Sequence, residues 1–156
     1  NGTLIVKSEV GKGSEFLIII DQKIKCEKDN LKNDNYNRKN KILVVNDKSN
    51  ELKKLEGMLK KLDYDVTTTL YGKDAIEKIK NKDSFDVIIL DDEMNLKSAF
   101  DTLNELKKIK KFNTPVIITL EDNKKFLKEK YLEDGFADYI LKENLDEEIK
   151  KVAKYI

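Results

Sequence analysis

The strongest constraint on this chain is an alternation that begins at Lys41. Short runs of consecutive apolar residues are separated there by segments whose apolar positions recur at helical spacing. Ile42-Leu43-Val44-Val45 and Val87-Ile88-Ile89-Leu90 are unbroken, as expected of strands buried on both faces. Tyr64 to Thr69 reads as a Thr-rich strand, Pro115 introduces a strand from Val116 to Leu120, and Ala137 to Leu141 is a fifth. Between and after them, five helices are marked by Leu52, Leu55 and Leu59, by Ala75, Ile76 and Ile79, by Phe100, Leu103 and Leu106, by Phe126, Leu127 and Tyr131, and by Leu145, Ile149 and Val152. Gly135 stands where the fourth helix needs a C-terminal cap.

Five strands alternating with five helices imply an α/β fold, a parallel sheet with helices on both faces. The first and third strands are the most apolar and belong in the centre, which the flavodoxin-like (βα)5 order 2-1-3-4-5 satisfies. In such sheets ligands sit at the carboxyl ends of the strands, where the order reverses. The first strand ends in Asn46-Asp47, the third in Asp91-Asp92 and the fifth in Lys142. Carboxylates gathered at one point repel each other, and a hard cation such as Mg²⁺ relieves the repulsion. A lysine at the rim suits phosphate oxygens.

The segment before this alternation differs in kind. Thr3 to Val6 and Phe16 to Ile20 read as two strands joined through Gly11-Lys12-Gly13-Ser14. That turn lacks the glycine spacing and following helix of a phosphate-binding loop. An isolated hairpin is marginal in water, so Phe16 to Ile20 is expected to pack on the rest of the chain or to pair with a second copy in a homodimer. Lys25 to Asn40 is almost wholly polar and reads as a linker. The resulting organisation is a hairpin over 1–24, a linker over 25–40 and the alternating domain over 41–156. The chain does not begin with Met, so Asn1 reads as an interior cut from a longer protein.

Composition narrows the function. With 31 basic and 30 acidic residues the net charge is +1, which makes no electrostatic case for nucleic-acid binding. No run is long and apolar enough to span a bilayer, and no signal peptide is visible, so membrane contact by this segment is not expected. A single cysteine, Cys26, fits a cytoplasmic location, with any membrane anchor lying elsewhere in a parent protein. Histidine is absent, which excludes a Ser/His/Asp triad, a His-ligated zinc site and a phosphohistidine of the chain's own.

Along its whole length, Lys41 to Ile156 resembles a response-regulator receiver domain. The resemblance is carried by Ile42 to Asp47, by Phe85-Asp86-Val87-Ile88-Ile89-Leu90-Asp91 with Met94 after it, and by Gly135 to Lys142. It implies that Asp91 is the phosphoacceptor and that Lys142 contacts the acyl phosphate. It further implies that Asp47, Asp91 and the backbone carbonyl of Glu93 hold Mg²⁺, with Asn46 acting weakly or through water. Tyr139 would be the aromatic residue that changes rotamer on switching. The implied partner is a histidine kinase or a histidine phosphotransfer protein. Asn1 to Phe16 in turn resembles the terminal hairpin of a histidine-kinase ATP-binding domain, whose nucleotide motifs lie upstream. Together the two resemblances suggest the C-terminal end of a hybrid histidine kinase, in a piece that does not itself bind ATP.

Four positions depart from the receiver pattern. Asn46 replaces an acid, Glu143 and Asn95 replace prolines, and Leu120 falls where a Ser or Thr is usual. Thr119 is adjacent, but strand side chains alternate faces, so it should point elsewhere unless the register slips by one. These departures motivate an alternative, a degenerate receiver acting as a phosphorylation-independent interaction module. A Mg²⁺-dependent phosphohydrolase of the haloacid-dehalogenase type is less compatible, because Glu93 stands where that family has a second Asp. An FMN carrier is disfavoured by the acidic loop after the first strand.

Overall fold

The computed structural model describes the backbone of residues 2–9 and 13–20, and residues 38–156 in full. The chain divides into two compact units, Asn1–Tyr36 and Asn37–Ile156. In the first, β1 (Gly2–Glu9) and β2 (Gly13–Ile20) form an antiparallel pair. Ser8 pairs with Ser14 and Glu9 with Gly13, so the strands are longer than expected and absorb two residues of the expected turn. The expected packing of this hairpin, on the receiver or on a second chain, rests on side chains outside the described ones. Most of the expected linker likewise lies outside the described residues; its last three, Arg38 to Asn40, are exposed and without regular structure.

The second unit follows the order β3 (Lys41–Val45), α1 (Ser49–Lys61), β4 (Asp65–Thr69), α2 (Gly72–Lys80), β5 (Val87–Asp91), α3 (Ala99–Lys107), β6 (Val116–Leu120), α4 (Lys128–Glu133), β7 (Asp138–Leu141) and α5 (Leu145–Glu148). The sheet runs β4-β3-β5-β6-β7 with every pairing parallel, the expected 2-1-3-4-5 order. Side chains of a strand alternate between faces, and both faces are apolar. Leu43, Val45, Ile88, Leu90, Ile118 and Leu120 pack with residues of α2 and α3 on one side. Ile42, Val44, Ile89, Ile117 and Ile140 pack on the other with α1 and the C-terminal helical segment. Within α1, Leu52, Leu55 and Leu59 are the buried stripe, spaced so that they share one face.

Two helices are shorter than the apolar spacing suggests. The fourth begins as a 3₁₀ turn over Asp122–Leu127 before α4, and the last continues from α5 as a 3₁₀ segment over Ile149–Tyr155. Phe126, read as part of an inward stripe, is 78% exposed, and Leu132 is 43% exposed, so burial does not enforce a full α-helix there. Gly135 closes α4 in the left-handed region, with φ of 98°, as its position suggested. Among the described residues no peptide bond is cis, so Lys142 and Glu143 are joined in trans, and no helix is long and apolar enough to cross a membrane.

Candidate functional site

Parallel, in-register strands place their carboxyl ends along one edge of the sheet. Asn46 and Asp47 follow β3, Asp91 is the last residue of β5, and Lys142 follows β7. Asp91 is only 1% exposed, and four donors reach its carboxylate. Oδ2 accepts from the Asn46 amide at 3.0 Å and from the Thr119 hydroxyl at 2.8 Å, and it lies 2.6 Å from the Lys142 ammonium. Oδ1 accepts the Glu93 backbone N–H at 2.9 Å. A buried carboxylate is costly unless paired and hydrogen-bonded, and Asp91 has both forms of compensation.

Thr119 corrects the expectation placed on Leu120. Asp91 and Thr119 are direct partners across β5 and β6, and the Thr119 hydroxyl bonds Asp91. Leu120 points to the opposite face and is fully buried in the core with Ile118. The register is therefore one residue from the ungapped count, and the missing hydroxyl is present. Pattern alone could not choose the face, because Val116 to Leu120 is buried on both sides. The signal available was chemical: Thr119 is the one polar side chain in that strand, and a buried hydroxyl needs a partner.

Asn46 is fixed by both ends of its side-chain amide. Its Oδ1 accepts the Lys48 N–H at 2.7 Å, so its amide nitrogen must face inward, donating to Asp91 and, at 3.1 Å, to Glu51. The amide thus serves Asp91 and Glu51 as a donor, while its oxygen accepts the Lys48 N–H. Asp47 is bound through one oxygen only: Oδ2 accepts both nitrogens of Asn95, the backbone at 2.8 Å and the side chain at 2.7 Å. Asp47 Oδ1 is buried and has no protein partner. Among the described residues no three His, Cys, Asp or Glu side chains are grouped as a metal centre. A cation here must therefore be one that accepts few carboxylates and keeps several waters, which is the habit of Mg²⁺. The unpartnered Asp47 oxygen and the all-oxygen donor set fit that ion.

The rim carries charges that the sequence did not single out. Lys48 donates to Glu93 at 2.8 Å, and Lys124 reaches Glu93 and Asp92 at 2.9 Å each. The Asp92 side chain is only 1% exposed beneath Lys124. These pairs tie the loops after β3, β5 and β6 together around Asp91. The Lys48 bond, then the Lys124 bond, hold the Glu93 carboxyl down to about 2. Because that lies below the ordinary 4.5, Glu93 stabilises the fold above about pH 4.5, and the contribution is lost as pH falls towards 2. In acid denaturation, Glu93→Gln should be less stable than the wild type near neutrality, with the difference vanishing towards pH 2. Equal stabilities at every pH would contradict this.

Tyr139 is not part of the Asp91 cluster. Its half-buried ring has two ammonium groups near it, Lys128 at 4.6 Å and Lys151 at 4.3 Å from the centroid.

Comparison with known proteins agrees with this geometry. The family model of the response regulator receiver domain matches residues 42–154. The autoinducer 2 sensor kinase/phosphatase LuxQ of Vibrio vulnificus is 27% identical over 154 residues, 95% of this chain and 18% of that protein. Other curated relatives are covered over 22% and 10% of their length, so this chain spans a minor part of each. Among solved structures, the receiver domain of the Francisella response regulator 1452 is 30% identical, with a TM-score of 0.66 over 74% of this chain and 95% of that one. The receiver domain of the sensor histidine kinase PA1611 from Pseudomonas aeruginosa, described with magnesium in its active-site cleft, is 22% identical, with a TM-score of 0.67 over 76% and 98%. The parallel order of the sheet, the acids at its carboxyl edge and the match over residues 42–154 converge on one conclusion: this chain belongs to the response regulator receiver domains, the signalling modules of two-component phosphorelays.

Proposed function

We propose that Asp91 is the residue phosphorylated in this receiver, from a phosphohistidine on a histidine kinase or a histidine phosphotransfer protein. The carrying observation is the convergence of Asn46, Thr119, Lys142 and the Glu93 N–H on one buried carboxylate. An oxygen of Asp91 forms a bond to phosphorus while the donor P–N bond breaks. Its electron pair leaves with the imidazole, which takes a proton, and an acyl phosphate remains. Hydrolysis reverses the state: water attacks phosphorus, the acyl P–O bond breaks, and the carboxylate and inorganic phosphate are released. Positioning and charge neutralisation carry such a transfer.

Lys142 supplies a cation beside the nucleophile, and the Thr119 hydroxyl is placed to follow a phosphoryl oxygen. Asp47, Asp91 and the Glu93 carbonyl are the groups that would hold Mg²⁺, whose chemistry is to neutralise phosphoryl oxygens. Tyr139 is the candidate switching aromatic, and the cations of Lys128 and Lys151 are contacts it must exchange to turn. The hairpin over residues 1–24 reads as the end of a kinase ATP-binding domain, and the parent as a hybrid histidine kinase. The 95% coverage in the match to the sensor kinase LuxQ supports that reading, since it takes in most of the hairpin.

The test is intact mass after incubation with phosphoramidate. One phosphoryl adduct is expected, formed in Mg²⁺ and lost when the ion is chelated. No adduct under conditions that label an ordinary receiver would overturn the proposal in favour of an interaction module.

A further inference from the structure

The Lys142 ammonium lies 2.6 Å from Asp91 Oδ2, 2.8 Å from Glu51 Oε2 and 3.2 Å from Glu121 Oε1. A lysine has three N–H donors and no more. Glu51 accepts a hydrogen bond from Lys142, and Asp91 and Glu121 form ion pairs with it, so three carboxylates crowd the ammonium proposed to contact the phosphoryl group. A phosphoryl oxygen arriving at Asp91 therefore competes with these carboxylates for the Lys142 ammonium.

Glu51 is the better held of the two outside Asp91. Its Oε2 also accepts the Asn46 amide at 3.1 Å, and its Oε1 lies 3.4 Å from Lys48. Burial pushes its carboxyl up, but the bonds from Lys142 and Asn46 outweigh this and hold it below the ordinary value. Glu51 and Glu121 also line a cavity of about 160 Å³ with Thr119, Lys142, Leu55 and Leu145. Two of those linings, Thr119 and Lys142, are partners of Asp91. An incoming phosphate thus meets carboxylates beside its own donors. Asn46, where the family has an acid, removes a negative charge at the end of β3; Glu51 supplies one from the first turn of α1 and is bonded to that same Asn46.

We propose that Glu51 is a positioning residue that competes with the phosphoryl group for Lys142 and so restrains phosphoryl uptake by Asp91. This rests on the reading of Asp91 given above. An ion pair with a partly exposed partner is worth at most about 1 kcal/mol, or about fivefold in a rate.

The experiment is a phosphoramidate time course in Mg²⁺, followed by intact mass, on the full chain. Glu51→Gln keeps the size of the side chain and removes its charge, and it should take up phosphate up to about fivefold faster than the wild type. Glu51→Asp keeps the charge and should stay near the wild-type rate. Glu56→Gln, on the same helix and paired among the described residues with Lys60, should not change the rate and controls for the helix. A Glu51→Gln rate equal to or below the wild type overturns the proposal. If no chain gains an adduct, the reading of Asp91 itself has failed. The competition is then decided by proton exchange at the Lys142 ammonium, followed by ¹⁵N NMR. Faster exchange in Glu51→Gln supports the hold on Lys142, and unchanged exchange overturns it.

Discussion

The Asp91→Ala chain, treated with phosphoramidate and Mg²⁺, gains no phosphoryl adduct where the wild type gains one. The loss is expected to be complete because no neighbouring carboxylate can substitute. Asp92 is covered by Lys124 with its side chain 1% exposed, Asp47 is anchored by Asn95, and Glu93 is shared by Lys48 and Lys124. Removing the carboxylate also leaves the Asn46 amide and the Thr119 hydroxyl without their Asp91 bonds in a buried place. Asp91→Asn therefore belongs beside it: the amide keeps the shape and can still accept from Thr119, but it is not a nucleophile. Both variants unlabelled and both folded by circular dichroism is the expected result. An adduct that persists in either, mapped by peptide mass to another residue, would remove Asp91 from the role.

Lys142→Met should lower the stability of the receiver by about 3 kcal/mol, the low end for breaking a buried ion pair from one side. The residue left behind is the reason. Asp91 would keep Asn46, Thr119 and the Glu93 N–H but lose its cation at 1% exposure. The low end applies because the Lys142 side chain is 13% exposed and water can partly replace it. In a unit of this size such a loss lowers the melting temperature by roughly 10 °C. Burial alone would push the Lys142 ammonium down, but its bonds to Asp91 and Glu51 prevail and raise it above the ordinary 10.5. The stabilisation is thus fully present below pH 10.5 and is lost as pH rises from there through the folded value. Thermal melts from pH 7 to pH 12 should show the wild type converging on Lys142→Met at the alkaline end. A variant as stable as the wild type at pH 7 would mean that Lys142 does not compensate the Asp91 charge.

Much of the fold was legible because burial on two faces leaves a direct trace in sequence. Ile42 to Val45 and Val87 to Leu90 had to be interior strands, and the order of the sheet followed from putting them at its centre. The acids at the strand ends were legible for a related reason, since parallel topology gathers those ends at one edge. The same double burial hid the face of Thr119. A strand that is apolar on both sides has no alternation to reveal which residue points at Asp91. The stripe read for the fourth helix failed at Phe126 because spacing reports a face but not what covers it.

Glu51, Lys48 and Lys124 could not have been picked out beforehand. They are three charges among 31 basic and 30 acidic residues, and nothing local distinguishes them from solvated neighbours. Glu51 and Lys142 stand 91 positions apart, and only the assembled sheet brings them to a 2.8 Å bond. By itself, then, the sequence determined the (βα)5 architecture and the carboxyl-edge placement of Asp47, Asp91 and Lys142, because periodicity and burial are local properties that add up along the chain. Tertiary structure alone decided that Thr119 rather than Leu120 meets Asp91, that Asn46 donates to Asp91 and Glu51, and that three carboxylates surround one lysine. Hydrogen-bond partners are chosen within a fraction of an ångström, by residues that distant parts of the chain bring to the same place.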